Sequence, residues 1–280
     1  MQMNKSTTLF IILAWGTCTA CSSNRDGPDA SPSPSKSNEV IVFQDEFKTF
    51  NTSVWNKETH TTGWTNQELQ FYDPAHVSIG KDGDKTVLIL TAERKNDQIM
   101  SGRVNTKAKK SFKYGKLEAS IKLPKTANGL WPAFWMLGDN NKEWPACGEI
   151  DIMEMGDAEG IQSGNTSQRI NTALHFGSDV KKHEQKYFTS NASVNLQDGN
   201  YHLYTMVWDE NKIEVTIDSI PFNTFEIKDN PYFHDNFFIL LNLAVGGAYT
   251  GITDISGITA LKDGEKAAMY VDWIKITETK

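Results

Sequence analysis

Cysteine is scarce in this chain, with three in 280 residues. Cys18 and Cys21 sit near the N-terminus and only Cys147 lies deep in the chain, so a disulfide framework is excluded. Cys147 reads as a small buried hydrophobe. Long apolar runs are missing too: Leu9–Trp15 falls far short of the ~20 residues a spanning helix needs. Basic charge is in the minority, with 28 Lys and Arg against 35 Asp and Glu and a net charge of −7. A nucleic-acid binder would carry a basic face to neutralise phosphates, so no nucleic-acid partner is expected. Also absent are long helical periodicity, internal repeats, a phosphate-cradling glycine loop, a Ser-His-Asp spacing and a cysteine–histidine metal cluster.

Turn formers and aromatics are what the chain has in quantity. Twenty Gly and nine Pro, with eight Trp and eight Tyr, suit many short strands joined by tight turns. Rings in an acidic chain also suit sugars, whose apolar faces stack on them. Alternating or apolar segments recur at 39–47, 86–94, 114–123, 149–155, 169–176, 201–208, 212–218, 237–245 and 269–277. Turn sequences such as KDGD (81–84) and DNP (229–231) separate them. That pattern predicts an all-β fold, a two-sheet sandwich or jelly roll. Residues 264–269 read as one short helical turn.

The N-terminus belongs to export rather than to the fold. Residues 1–20 place Lys5 before a short apolar stretch and small residues Thr19 and Ala20 before Cys21, which reads as a signal peptide. The arrangement is similar to a bacterial lipoprotein signal, in which Cys21 becomes the lipidated N-terminus. Cys18 stands where such signals usually carry Leu, and ordinary cleavage leaving a free Cys21 is the alternative. Residues 21–38, rich in Ser and Pro and without bulky apolar side chains, predict a tether. An anchor and a tether imply display on the cell envelope, on an outer-membrane surface. No second linker follows, so residues 39–280 are expected to form one domain acting as a monomer.

The chemistry concentrates in WPACGEIDIMEMG, residues 144–156. Strand alternation sends Glu149 and Asp151 to one face and Glu154 to the other. A β-bulge at Ile152–Met153 adds one residue and returns Glu154 to the face of the other two. Three acids on one face repel each other, which raises at least one pKa. Two carboxylates about 5–5.5 Å apart are the working parts of a retaining glycosidase, one a nucleophile and one an acid/base. Asp151 between them would share a proton or hydrogen bond with the nucleophile. A solvated acidic face and a calcium site are the alternatives that spacing alone leaves open.

E-I-D-I-M-E (149–154) resembles the bulged signature of glycoside hydrolase family 16. The flanking GWTNQELQFY (63–72), SGRVNTKAKKSFKYGKLEASIKLP (101–124), GLWPAFWMLG (129–138) and LNLAVGGAYTG (241–251) match in order. The resemblance runs from Phe43 to Thr277. It implies a concanavalin-like β-jelly roll with an open cleft, and endo-cleavage of a β-linked polysaccharide with retention of configuration. By motif position Glu149 is the nucleophile, Asp151 its assistant and Glu154 the acid/base.

Further roles rest on the same resemblance. Trp131, Trp135 and Trp144 line the donor side of the cleft, each with core burial as its alternative. Arg103, Asn66 and Glu68 match positions that bond sugar hydroxyls, with a structural ion pair as the alternative. His175 matches a histidine beside the acids and is otherwise a hydrogen-bonded sheet residue. Glu46 and Asp272 match ligands of a structural calcium away from the cleft; the chemistry needs no cofactor, so a stabilising Ca²⁺ or none is expected.

The substrate branch is laminarinase-like, for β-1,3- or mixed β-1,3/1,4-glucan. GGAYTG (246–251) departs from it, placing Tyr249 and Thr250 where an indole and a proline are common. The long polar loop 156–169 also leaves room for a galactose-containing chain cut by an endo-β-1,4-galactosidase. A glycan-binding module on the same scaffold is the non-enzyme alternative, and it would not need Glu149 and Glu154 together.

Overall fold

Side-chain alternation sets which face of each strand is buried. Along 237–245, Phe237, Ile239, Leu241, Leu243 and Val245 enter the core, while Asn242 between them lines the opposite face. All nine residues are buried, so alternation decides which face of the sheet each side chain enters rather than which is exposed. A computed structural model describes residues 39–279. The expectations for the signal peptide, the lipidated Cys21 and the tether lie outside the described residues.

The strands that position the site are β1 (Glu39–Asp45), β2 (Lys85–Lys95), β3 (Arg103–Asn105), β4 (Gly115–Lys122), β5 (Leu130–Gly138), β6 (Glu149–Met155), β7 (Arg169–Phe176), β8 (Glu184–Asn191), β9 (His202–Trp208), β10 (Lys212–Ile217), β11 (Ile220–Glu226), β12 (Phe237–Val245) and β13 (Lys266–Thr279). One sheet runs β11-β10-β9-β4-β13-β2, with β1 paired to β13. The other runs β8-β7-β6-β5-β12-β3, and shorter strands extend both sheets. These pairings are all antiparallel.

One apolar cluster joins the sheets: Leu117, Ala119 and Ile121 of β4 and Val271, Ile274 and Ile276 of β13 share it with Phe134, Ile152 and Leu241. Phe134, Ile152 and Leu241 are fully enclosed, and each contributes on the order of 2–3 kcal/mol by leaving water. This is the expected all-β jelly-roll sandwich.

Four of these strands lie outside the pattern: β3, β5, β8 and β11. β5 carries Pro132, which demotes a run to an edge, yet it sits between β6 and β12. β8 is the outermost strand of its sheet and is largely exposed, so it has no buried period to read. The turn expected at 264–269 is corrected: from Lys266 onward the chain is already β13. The loop after β6 holds a short helix, α1 (Ala158–Ser163), with Asp157 accepting from the Gly160 N–H and Gly164 closing it in the left-handed conformation.

Candidate active site

β6 carries the acids, and the predicted bulge is present. Asp151 pairs with Ala173 and Glu154 with Asn171, so Ile152 and Met153 together oppose one residue of β7. Ile150, Ile152, Met153 and Met155 all fill the core. The extra residue lets two neighbours point inward and returns Glu154 to the open face. Glycines frame the strand at both ends. Gly148 has φ +82°, and a Cβ there would stand 2.5 Å from the Tyr232 carbonyl; Gly156 has φ +97° and would stand 2.1 Å from that of Leu130.

Cross-strand register then assembles a cleft of about 770 Å³. Glu149 lies beside His175, Asp151 beside Ala173 and Trp135, and Glu154 beside Asn171 and Ala133. Glu154 Oε1 accepts from Trp131 Nε1 at 3.0 Å and Oε2 from Asn171 Nδ2 at 2.8 Å. Thr189 of β8 holds that asparagine through its Oδ1 at 2.7 Å. Glu149 Oε2 accepts from Trp144 Nε1 at 3.1 Å. His175 Nε2 stands 3.3 Å from Asp151 Oδ2 and 3.8 Å from Glu149 Oε1. The Asp151 contact is off-line, so Oδ2 is buried without a well-aligned donor.

Burial dominates the electrostatics. It pushes Glu149 above the usual carboxylate range, and the charge of Asp151 adds to the rise while His175 and Trp144 oppose it. Burial raises Asp151 as well, with Glu154 adding to it. Glu154 also rises, although Asn171, His175 and Trp131 hold it down. Three negative charges so close together in a largely buried row repel one another, which favours the protonated forms. A solvated acidic face is therefore not what this strand presents. A calcium cage does not fit either, because calcium takes oxygen ligands and the third member of the cluster is a histidine.

The expected tryptophans do not share one side. Trp131 stands at the Glu154 end of the row and Trp144 at the Glu149 end, with Trp135 alongside Asp151 between them. Trp131 is stacked on Tyr249, centroids 4.6 Å apart and planes 19° off parallel. Trp135 donates Nε1–H to Asn242 at 2.7 Å. Arg103 both lines the cleft and forms an ion pair, its Nε 3.0 Å from partly buried Glu58 and its guanidinium over the Trp135 ring. Glu68 is buried and accepts from Gln70, Tyr72 and Asn66, with exposed Asn66 beside it in the cleft wall.

The calcium expectation finds no cluster at its residues. Glu46 pairs with Lys48 and Asp272 with Lys85, in separate ion pairs at the surface. Neither joins a group of three acidic, His or Cys ligands among the described residues. Cys147 is buried and free. Burial, with the nearby Glu149, pushes its thiol up to about 11.

Several cleft residues escaped sequence reasoning. Asn171 was legible, since alternation along RINTALHF places it on the face of His175. Asn242 was legible on β12 in the same way. His183, Gln185, Tyr187 and Trp64 also line the cleft, but they lie on an edge strand or loops with no periodic signal.

A β-sandwich with a buried row of carboxylates across an aromatic cleft has the equipment of a glycosidase. Residues 65–275 match the model for glycosyl hydrolases family 16, and the chain belongs to that family of glycoside hydrolases. A solved Bacteroides ovatus mixed-linkage glucan GH16, in complex with a G4G4G3G product, is 64% identical, with a TM-score of 0.84 over 84% of this chain and 100% of that one. Glucan endo-1,3-beta-glucosidase A1 of Niallia circulans is 32% identical over 84% of this chain and 37% of its own length. Keratan-sulfate endo-1,4-beta-galactosidase of Sphingobacterium multivorum is 28% identical over 84% of this chain and 54% of its own length. The chain spans about a third of the length of the first curated relatives it matches.

Proposed function

We propose that the chain is a retaining endo-β-glucanase acting on mixed β-1,3/1,4-glucan. The observation that carries the reading is the bulged row Glu149–Asp151–Glu154, with each glutamate held by an indole N–H. Glu149 attacks the anomeric carbon as Glu154 protonates the departing glycosidic oxygen. A covalent glycosyl–enzyme forms, and Glu154 then takes a proton from water as the water displaces Glu149. Asp151 holds the proton that Glu149 cannot keep while it acts as nucleophile. Trp131, Trp144 and Tyr249 offer ring faces and edges to sugars, and Arg103, Asn66, Glu68 and His175 supply polar contacts around them.

The glucan assignment is supported by the 64% identity to a mixed-linkage glucan enzyme over the length of that chain. Tyr249 supports it too: although smaller than an indole, it lies parallel beneath Trp131 and keeps an aromatic stack at the Glu154 end. Lipidation at Cys21 and a 21–38 tether would hold the 39–280 domain at the cell envelope as a monomer. A Cys21→Ala variant that still partitions with membranes would refute the anchor.

Incubation with laminarin, barley β-glucan, agarose, keratan and mucin O-glycans, with product analysis, tests the substrate. Oligosaccharides released from barley β-glucan are expected. Release from the galactose polymers alone would replace the glucanase with an endo-β-galactosidase. No cleavage of any polymer, with retained binding, would make the chain a glycan-binding module.

A further inference from the structure

His183 lies in the segment leading into β8, outside the family signature, and has no role in the chemistry above. Its Nε2 stands 2.9 Å from Nδ1 of His175. The two imidazoles meet edge to edge, centroids 5.1 Å apart and planes 17° off parallel, and Trp144 packs on His183 at 4.7 Å. On its other side, His175 turns Nε2 toward Asp151 and Glu149. Trp144 in turn donates to Glu149. The result is a closed circuit: Glu149, Trp144, His183, His175 and back to the acids.

Proton counting decides what such a circuit does. One hydrogen fits between two ring nitrogens 2.9 Å apart, so one ring donates and the other accepts. A ring nitrogen aimed at two carboxylates must carry hydrogen, because a bare lone pair there would face like charge. Nε2 of His175 therefore carries the hydrogen that faces them. Burial and the adjacent His175 ring both push His183 below the usual histidine range. Whichever ring carries the shared hydrogen, the bond fixes the plane of His175 and keeps its Nε2 toward the acids.

We propose that His183 is a positioning residue for the glycosidase: its hydrogen bond to Nδ1 of His175 fixes that ring so that the His175 Nε2–H faces Asp151 and Glu149. That orientation matters to the proposed reaction cycle, because the N–H faces the row while Glu149 is ionised for attack. Without a partner behind it, His175 is free to rotate or to switch tautomer, and its Nε2–H no longer faces the acids.

The proposal rests on the glycosidase reading for its kinetic consequence but not for its structural one, and two measurements separate them. In free enzyme with ¹⁵N-labelled histidine at neutral pH, a scalar coupling across the hydrogen bond is expected between His175 Nδ1 and His183 Nε2. His183→Gln offers an amide that can donate or accept at the same place. His183→Phe keeps the packing against Trp144 and removes the partner. It is expected to lower kcat on the hydrolysed glucan about 10-fold with little change in KM, while His183→Gln recovers to within about 3-fold. Absence of that coupling in the parent chain would overturn the proposal whatever the substrate proves to be. So would a His183→Phe variant with undiminished kcat, or equal losses in the Phe and Gln variants. A chain that cleaves no glycan fails the functional reading alone, and the ¹⁵N measurement still decides the role of His183.

Discussion

Replacing Glu149 with Gln is expected to remove hydrolysis and to make the fold more stable. Oxygens of Glu149 and Asp151, with a nitrogen of His175, lie within 4.8 Å of one another. Two full negative charges at that separation repel by about 3.5 kcal/mol at an effective dielectric constant of about 20. His175, Trp144 and the protons the row retains offset part of this, leaving an expected gain of about 1–2 kcal/mol. For a domain of this size each kcal/mol moves Tm by about 2–4 °C, so the shift is roughly 2–8 °C.

The gain must also depend on pH. Burial and the charge of Asp151 hold the folded Glu149 above the usual range, so the folded chain binds this proton more tightly than the unfolded chain. The penalty is absent below about pH 4, where both states are protonated, and grows as pH rises toward the folded-state value. Thermal melts of the parent and the Gln variant should therefore diverge at pH 7 and converge near pH 4. The variant keeps the Trp144 hydrogen bond through its amide oxygen, and its kcat should fall on the order of 10⁴-fold or more. A variant no more stable than the parent at pH 7, or a gain that is the same at both pH values, would refute the account of the row.

Trp131→Phe keeps an aromatic ring on Tyr249 but deletes one of the two donors to Glu154. Loss of a hydrogen bond to the ionised form raises the pKa further, so the alkaline limb of the kcat profile should move to higher pH; a downward shift would contradict the role of Glu154 as the acid. Ile152→Ala empties a fully enclosed site in the bulge and should cost about 2–5 kcal/mol, read as a Tm lower by roughly 4–20 °C. Its kcat at 25 °C should stay within a few-fold, since the register of Glu154 follows the backbone; an unchanged Tm would place Ile152 outside the core.

Much of the sandwich was legible because burial writes itself as alternation. β6, β7 and β12 begin and end where the pattern predicts. β8 was not, since a strand exposed over most of its length has no apolar period, and β5 was obscured by Pro132. The helix α1 hid in a loop because six residues carry too few turns for a period, although Asp157 and Gly164 mark its ends.

The acids follow the same division. Spacing in EIDIMEM, together with the need of Ile152 and Met153 for the core, was enough to place three carboxylates on one face. Local chemistry along a single strand determines that. Which donors hold each acid is a matter of register between strands far apart in the chain: Trp131 and Asn171 meet at Glu154 although 40 residues separate them, and Glu58 reaches Arg103 from a distant loop. The hydrogen-bonded pair of His175 and His183 depends on how β7 turns into β8. Such contacts leave no periodic trace, because they are made by folding rather than by sequence neighbours. The placement of the three acids on one face was determined by the sequence; the donors and neighbouring charges that shift their pKa values were decided by the tertiary structure.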